Sequence, residues 1–261
     1  MSCDGPTVVD LLIDAGNTRI KWGLRSEAGS WLVRGALPLA DVADLARLIN
    51  VQPRRIMVCN VAGDAVAACL QAALAATGVP LAWASSGRSA GGVRNGYEQP
   101  GQLGVDRWAA VVGAWQIEQR PCLVVTAGTA TTIDLLDRDP DDHSRRGGMG
   151  LFCGGLILPG FDLMRTSLAR NTAQLPLAEV AEVAEVAGGL SSNPPRNTME
   201  AIITGCLFAQ VGAIERMARR LPQDGAILLS GGNAELLSPQ LSLPHRRVDN
   251  LVLEGLARLL A

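Results

Sequence analysis

The chain has 261 residues, 48% of them hydrophobic and 18% charged, with 23 Lys+Arg against 25 Asp+Glu. At roughly 150 residues per domain this is one large domain or two small ones, too apolar for a disordered chain. A net charge of −2 and 3% aromatics exclude a basic nucleic-acid footprint and a stacking platform for single strands.

Met1–Pro6 has no basic region, and Asp10 interrupts the apolar stretch after it, which argues against a signal peptide. Thr7–Ile13 is expected as a buried strand ending in Asp14-Ala15-Gly16-Asn17-Thr18. Strands follow at Arg19–Leu24 and Trp31–Leu37. Asp41 reads as the N-cap of a helix over Val42–Ile49. Arg55–Val61 is a strand, and Asp64 caps an Ala-rich helix that runs to Thr77 and stops at Gly78. A short strand at Leu81–Ala84 completes the order β-β-β-α-β-α-β.

The second half starts alike, with a strand at Cys122–Val125, a turn at Thr126–Ala130 and strands at Thr131–Leu136 and Met149–Leu158. A helix over Phe161–Arg170 follows. The Ala-Glu-Val period of three in Ala178–Ala187 fits neither a helix face nor a strand, so it reads as a variable connection through Gly188–Pro195. A long helix spans Thr198 to Leu221, Ala226–Ser230 is a strand ending in Gly231-Gly232, and Leu251–Leu260 is a last helix. No apolar run approaches the ~18 residues of a membrane span.

Cys3, Cys59, Cys69, Cys122, Cys153 and Cys206 show no CxxC spacing and lie mostly in apolar runs, which suits a reduced, cytoplasmic protein. His143 and His245 are too far apart to build a multi-His metal site. The five tryptophans read as core or interface, and Arg145-Arg146 beside Asp141-Asp142 as a solvated loop.

Three glycine turns carry the candidate chemistry. In Asp14-Ala15-Gly16-Asn17-Thr18-Arg19-Ile20-Lys21, the glycine lets backbone N–H groups approach a phosphate. Asn17, Thr18 and Lys21 add donors, and Asp14 can hold Mg²⁺ directly or through water. An ordinary hairpin with a polar tip has the same pattern. An offset of 112 lays Leu11–Leu24 on Leu123–Leu136 and Gly16 on Gly128, so two such turns would clamp phosphates across a cleft between halves. Gly231-Gly232 suits a nucleoside lying against backbone, or simply the entry to a helix.

In this order the elements resemble two ribonuclease-H-like lobes with mixed sheets, the α/β actin-like ATPase superfold. More closely the chain resembles type III pantothenate kinases, from about Val9 to Leu256. Their DxGNTxxK motif matches Asp14, Gly16, Asn17, Thr18 and Lys21. GxDR matches Gly104, Val105, Asp106 and Arg107, preceded by Asn95, Gly96, Tyr97 and Pro100. DxGTAxTxD matches Gly128, Thr129, Ala130, Thr132 and Asp134, with Thr126 in place of the first Asp. GGxIxPG matches Gly154, Gly155, Ile157, Pro159 and Gly160, and NTxxAIxxG matches Asn197, Thr198, Ala201, Ile202 and Gly205.

The resemblance implies ATP-dependent phosphorylation of pantothenate by a homodimer whose acceptor pocket the partner chain closes. It implies ATP and Mg²⁺ as cofactors, ATP contacts from Asp14–Lys21 and Thr129, and acceptor contacts from Tyr97, Gly104–Arg107 and Thr198. Asp106 is the implied base; as a residue before an apolar run it also reads as a helix N-cap. Arg107 offers a planar fork for a carboxylate, or a surface ion pair. Tyr97 could equally be packing, Thr198 a helix cap and Thr129 a capped turn. The family's first Asp in the second turn binds K⁺ or NH₄⁺, a site that Thr126 weakens or removes. The lobes are expected at 1–118 and 119–261. Two other readings remain: another small-molecule kinase on this superfold, or an accessory protein with weak or no kinase activity.

Overall fold

A computed structural model describes residues 8–142, 148–188 and 193–260. Cys3, Thr7, His143, Arg145 and Arg146 lie outside the described residues, and so do the expectations placed on them. The chain divides into two units, Met1–Ile117 with Asn250–Ala261, and Glu118–Asp249.

In the first unit β1 (Val9–Ala15), β2 (Arg19–Ser26) and β3 (Trp31–Pro38) form an antiparallel meander. Then β4 (Arg55–Asn60) joins β1 in parallel and β5 (Leu81–Trp83) joins β4, giving the order β3-β2-β1-β4-β5. Every residue of β1 is buried, which is why it reads as an apolar run rather than an alternating one. Val9, Leu11, Ile13 and Ala15 face a cluster that includes Leu45 and Ile49 of α1 (Leu45–Ile49) and Leu70 and Leu74 of α2 (Asp64–Leu74). Asp10, Leu12 and Asp14 therefore take the opposite face. A hairpin of β6 (Ser89–Ala90) and β7 (Val93–Asn95) leads to α3 (Val105–Glu118).

Two local expectations need correction. Asp41 caps nothing: it sits at φ −98°, ψ 17° inside a 3₁₀ turn, Leu39–Asp44, entered from Pro38, and α1 begins only at Leu45. Asp64 is the first helical residue of α2, and Gly63 holds the cap position. There the aspartate complements the helix dipole instead of capping it.

The second unit repeats the plan. Here β8 (Cys122–Ala127), β9 (Ala130–Arg138) and β10 (Gly150–Pro159) form the meander, β11 (Ala226–Ser230) pairs with β8 in parallel, and β12 (Arg246–Arg247) pairs with β11. Within this unit the order is β12-β11-β8-β9-β10, strand for strand the order β5-β4-β1-β2-β3. The core gathers Leu123, Val125 and Ala127 of β8 with residues of α4 (Phe161–Asn171), α5 (Val180–Gly188), α6 (Thr198–Ala218) and α7 (Ala234–Leu237).

The helix α5 replaces the expected variable connection. A period of three drifts only about 60° per step on a helix, so over nine residues Val183 and Val186 still meet the same core. The Glu182 carboxylate accepts the Glu179 N–H at 2.7 Å and supports the first turn. The expectation of no long apolar run is also corrected. By length and composition α6 could cross a membrane, but half of its apolar window is buried. Ile203, Leu207 and Ile214 lie in the core, as in the central helix of a globular unit.

The last helix, α8 (Leu251–Leu259), belongs with the first unit, whereas the expected division at 118/119 left it in the second. Its Leu253 and Leu256 are fully buried. A Cβ on Gly255 would fall 1.8 Å from the Ala109 carbonyl oxygen of α3, so the two helices touch backbone to backbone. Trp31 Nε1 donates to Glu254 at 2.7 Å, and Arg55 donates to the Leu260 carbonyl at 2.9 Å.

Candidate active site

The turn between β1 and β2 is a four-residue loop. Ala15 pairs with Ile20, and the Gly16 N–H donates to the Arg19 carbonyl at 3.1 Å. Asn17, Thr18 and Arg19 are exposed at its tip. Just inside it, the register places Asp14 between Lys21 on β2 and Cys59 on β4. Asp14 is only 9% exposed. Burial pushes its carboxyl from the ordinary 3.8 up to about 6, with Lys21 pulling it down and the charge of Asp106 pushing it up. Burial likewise drives the Cys59 thiol well up, reinforced by Asp14 and then Asp106. Cys59, Asp14 and Asp106 thus sense one another's charge. A buried carboxylate kept ionised at neutral pH suits a cation or its ligands.

Asp106 is the second residue of α3. The Trp108 N–H donates to the Gly104 carbonyl at 2.9 Å, and Asp106 Oδ1 accepts the Arg107 N–H at 2.8 Å. It is therefore not the N-cap; its carboxylate sits in the first turn, at the positive end of the helix. Arg107 is 6% exposed and so does not lie on the surface. Its Nη1 donates to the Tyr97 hydroxyl at 3.0 Å, and its guanidinium lies 5.8 Å from the centre of that ring. Asp106, Arg107 and Tyr97 thus come together around Gly104 and Val105.

The second turn is built differently. Ala127 pairs with Thr131, and the Gly128 N–H donates to Ala130 at 3.1 Å. This loop is one residue shorter than the first, so the offset of 112 holds for β8 but not for β9. Thr132, and not Ile133, stands where Lys21 stands. The register aligns Ser230, Thr126 and Thr132 across β11, β8 and β9, a row of three hydroxyls. Thr129 is exposed at the tip, and its carbonyl accepts the Gly160 N–H at 2.8 Å.

Gly160 and Gly231 both close on this second turn. A Cβ on Gly160 would lie 2.1 Å from the Gly128 oxygen, and one on Gly231, at φ +102°, 2.2 Å from the Ala127 oxygen. The Asn233 N–H donates to that same Ala127 carbonyl at 3.0 Å. Gly231 is therefore more than a helix entry: it closes against the second turn. Sequence reasoning gave no role to Gly160 or Gln210. Gln210 is fully buried in α6 and donates to the Pro159 carbonyl at 2.6 Å, just before Gly160. A lone amide in an apolar helix was the available signal. Thr198 is the first residue of α6, and Asn197 caps that helix by accepting the Glu200 N–H at 2.9 Å. Thr198 instead borders an apolar groove with Leu163, Met164 and Ile202.

Among the described residues no group of three or more His, Cys, Asp or Glu could hold a metal by itself. Asp14 fits a Mg²⁺ ion that brings phosphate and water oxygens as its other ligands.

The family described as type III pantothenate kinase matches residues 10–220. The chain is 50% identical over 252 residues to the type III pantothenate kinase of Aromatoleum aromaticum, covering 95% of this chain and 96% of that one. It is 46% identical over 252 residues to that of Azoarcus sp., covering 95% and 89%. In structure it is similar to the ethanolamine utilization protein EutJ from Carboxydothermus hydrogenoformans, with a TM-score of 0.57 at 13% identity over 98% and 91% of the two chains. That likeness concerns the fold alone, the α/β actin-like ATPase architecture.

Proposed function

The chain belongs to the type III pantothenate kinase family, and from that premise we propose how its residues share the work. The protein is a phosphotransferase that phosphorylates pantothenate in coenzyme A biosynthesis, with ATP as donor. Phosphoryl transfer needs positioning, charge neutralisation and a base near the attacking hydroxyl.

Asp106 accepts the proton of the pantothenate hydroxyl as the O–P bond forms. Arg107 engages the pantothenate carboxylate through its planar fork, and Tyr97 orients that guanidinium while offering an apolar wall. Gly104 and Val105 shape the backbone beside them, and the family motif that Thr198 matches gives it a role toward the acceptor as well. The N–H groups and side chains of Asp14–Lys21, with Thr129, hold the phosphates of ATP. Mg²⁺ bound with ATP neutralises phosphate charge, and Asp14 would hold it directly or through water. With a neutral hydroxyl at Thr126 itself and at its two cross-strand neighbours, activity depends little on K⁺ or NH₄⁺.

The observation that carries this reading is one cluster. Asp106 shares a helical turn with Arg107, Arg107 reaches Tyr97, and the charge of Asp106 acts on Asp14. Intact Asp14, Asp106, Arg107 and Thr129 favour a working kinase over an accessory protein. The test is formation of 4′-phosphopantothenate from ATP and pantothenate. Asp106→Asn should bind pantothenate normally and lose about 10²–10⁴-fold in kcat; near-normal kcat would remove Asp106 from the mechanism.

We also infer a cytoplasmic homodimer. Ile157 and Phe208 are exposed on the second unit, which also carries the apolar groove beside Thr198. A second copy of the chain would cover exposed apolar side chains of this kind. Sedimentation at assay concentration tests it, and a monomer would refute it.

A further inference from the structure

Asn95 closes β7 and is 6% exposed. Its side chain bonds only to backbone. Nδ2 donates to the Gly87 carbonyl at 3.1 Å and to the Pro100 carbonyl at 3.2 Å, while Oδ1 accepts the Tyr97 N–H at 3.0 Å. Its own N–H donates to Arg88 at 2.8 Å. One amide thus bridges three pieces of chain: the segment before β6, Tyr97, and the 3₁₀ turn Pro100–Gln102. That turn feeds α3, because the Leu103 N–H returns to Pro100 at 3.3 Å and Gly104 accepts the first helical bond. The far end of the same loop is tied by Arg107 to the Tyr97 hydroxyl.

We infer that Asn95 is a positioning residue of the acceptor pocket, fixing Tyr97 relative to the Asp106–Arg107 pair. The inference rests on the pantothenate reading of that pocket. The chemistry requires an amide, with two donors for two carbonyls and one acceptor for an N–H. Aspartate has the same shape but would turn an oxygen toward the Gly87 and Pro100 carbonyls. Asn95 touches no reacting atom; it acts through Tyr97 and the entry to α3.

Steady-state kinetics of the full-length protein test this. Asn95→Asp should raise KM for pantothenate by about tenfold or more, while KM for ATP stays within about twofold. A folded variant with unchanged pantothenate KM, or with an equal rise for both substrates, overturns the inference. If Asn95→Asp does not fold, Asn95→Ser and Asn95→Ala decide. A serine hydroxyl still accepts the Tyr97 N–H in a local turn, so its pantothenate KM should lie nearer wild type than that of alanine; equal values overturn the inference. In a Tyr97→Ala background the Asn95→Asp penalty on pantothenate KM should shrink, and full additivity overturns the inference. Failure of the underlying functional reading looks different: the unaltered protein would release no ADP in response to pantothenate.

Discussion

The two glycine turns occupy the same place in a repeated sheet and are held by opposite means. Beside the first, the row across three strands reads Cys59–Asp14–Lys21; beside the second it reads Ser230–Thr126–Thr132. The first row carries a buried charge that the fold only partly offsets. The second carries no charge, and its turn is gripped by the backbone of Gly160 and Gly231. The first turn is an electrostatic device and the second a steric one. Repetition of a backbone therefore does not imply repetition of its chemistry.

The largest expected effect tests the electrostatic half. Asp14→Asn should lower kcat/KM by roughly 10²–10³-fold, the several kcal/mol that a held metal ion contributes. The ligand-free variant should nonetheless be more stable at neutral pH, by on the order of 3 kcal/mol for a carboxyl raised from 3.8 to about 6. Because the folded-state value lies above the ordinary one, Asp14 contributes its stability in full below 3.8 and loses it as pH rises through about 6. Urea unfolding at about pH 4 and about pH 7.5 should thus show a decline in the wild type that Asp14→Asn reduces. Equal pH slopes would remove the charge from the account of the first turn.

A smaller effect tests the steric half. Gly160 has φ −67° and ψ 168°, which alanine adopts freely, so Gly160→Ala adds only the collision with the backbone of Gly128 and Thr129. It should cost about 1–3 kcal/mol of stability and raise KM for ATP. Gly16→Ala should cost less, since its Cβ would meet only the Arg19 oxygen, at 3.3 Å. Comparable thermal shifts for the two variants would erase the contrast.

The smallest expected effect is in the wild type itself. Titrating K⁺ and NH₄⁺ into a Na⁺-free assay should leave its rate nearly flat, because hydroxyl dipoles hold a monovalent ion far more weakly than a carboxylate does. Thr126→Asp should gain activation by K⁺. Strong activation of the wild type by low K⁺, unaltered in the variant, would show that Thr126 is not what sets the second turn's cation response.

Much of this arrangement was legible in the residues. The glycine turns and both meanders follow from short apolar runs broken at fixed places, whereas the Asp106–Arg107 pair stood out only through the family resemblance. Features set by distant partners were not. Asp10 reads as an interruption of an apolar run, yet in the fold Arg55 and Arg54 bind it and hold its carboxyl below the ordinary value against the cost of burial. The one-residue shift between Lys21 and Thr132 is a matter of loop length, which an ungapped overlay cannot register. Asn197 capped α6 where Thr198 was an equally good candidate by type, because caps are decided by backbone angles. Asn95 was visible as part of the family pattern before Tyr97 but with no role, because its three bonds reach both backward and forward along the chain.

The return of α8 to the first unit bears on how the protein is made. The chain leaves that unit at Ile117 and re-enters it at Asn250. During synthesis at about 5–20 residues per second, β1, β4 and α3 would wait on the order of ten seconds without the helix that packs on them. The second unit is continuous in sequence and can close during that wait. The part of the molecule that emerges first from the ribosome, with Asp14 and Asp106 on it, is the part completed last.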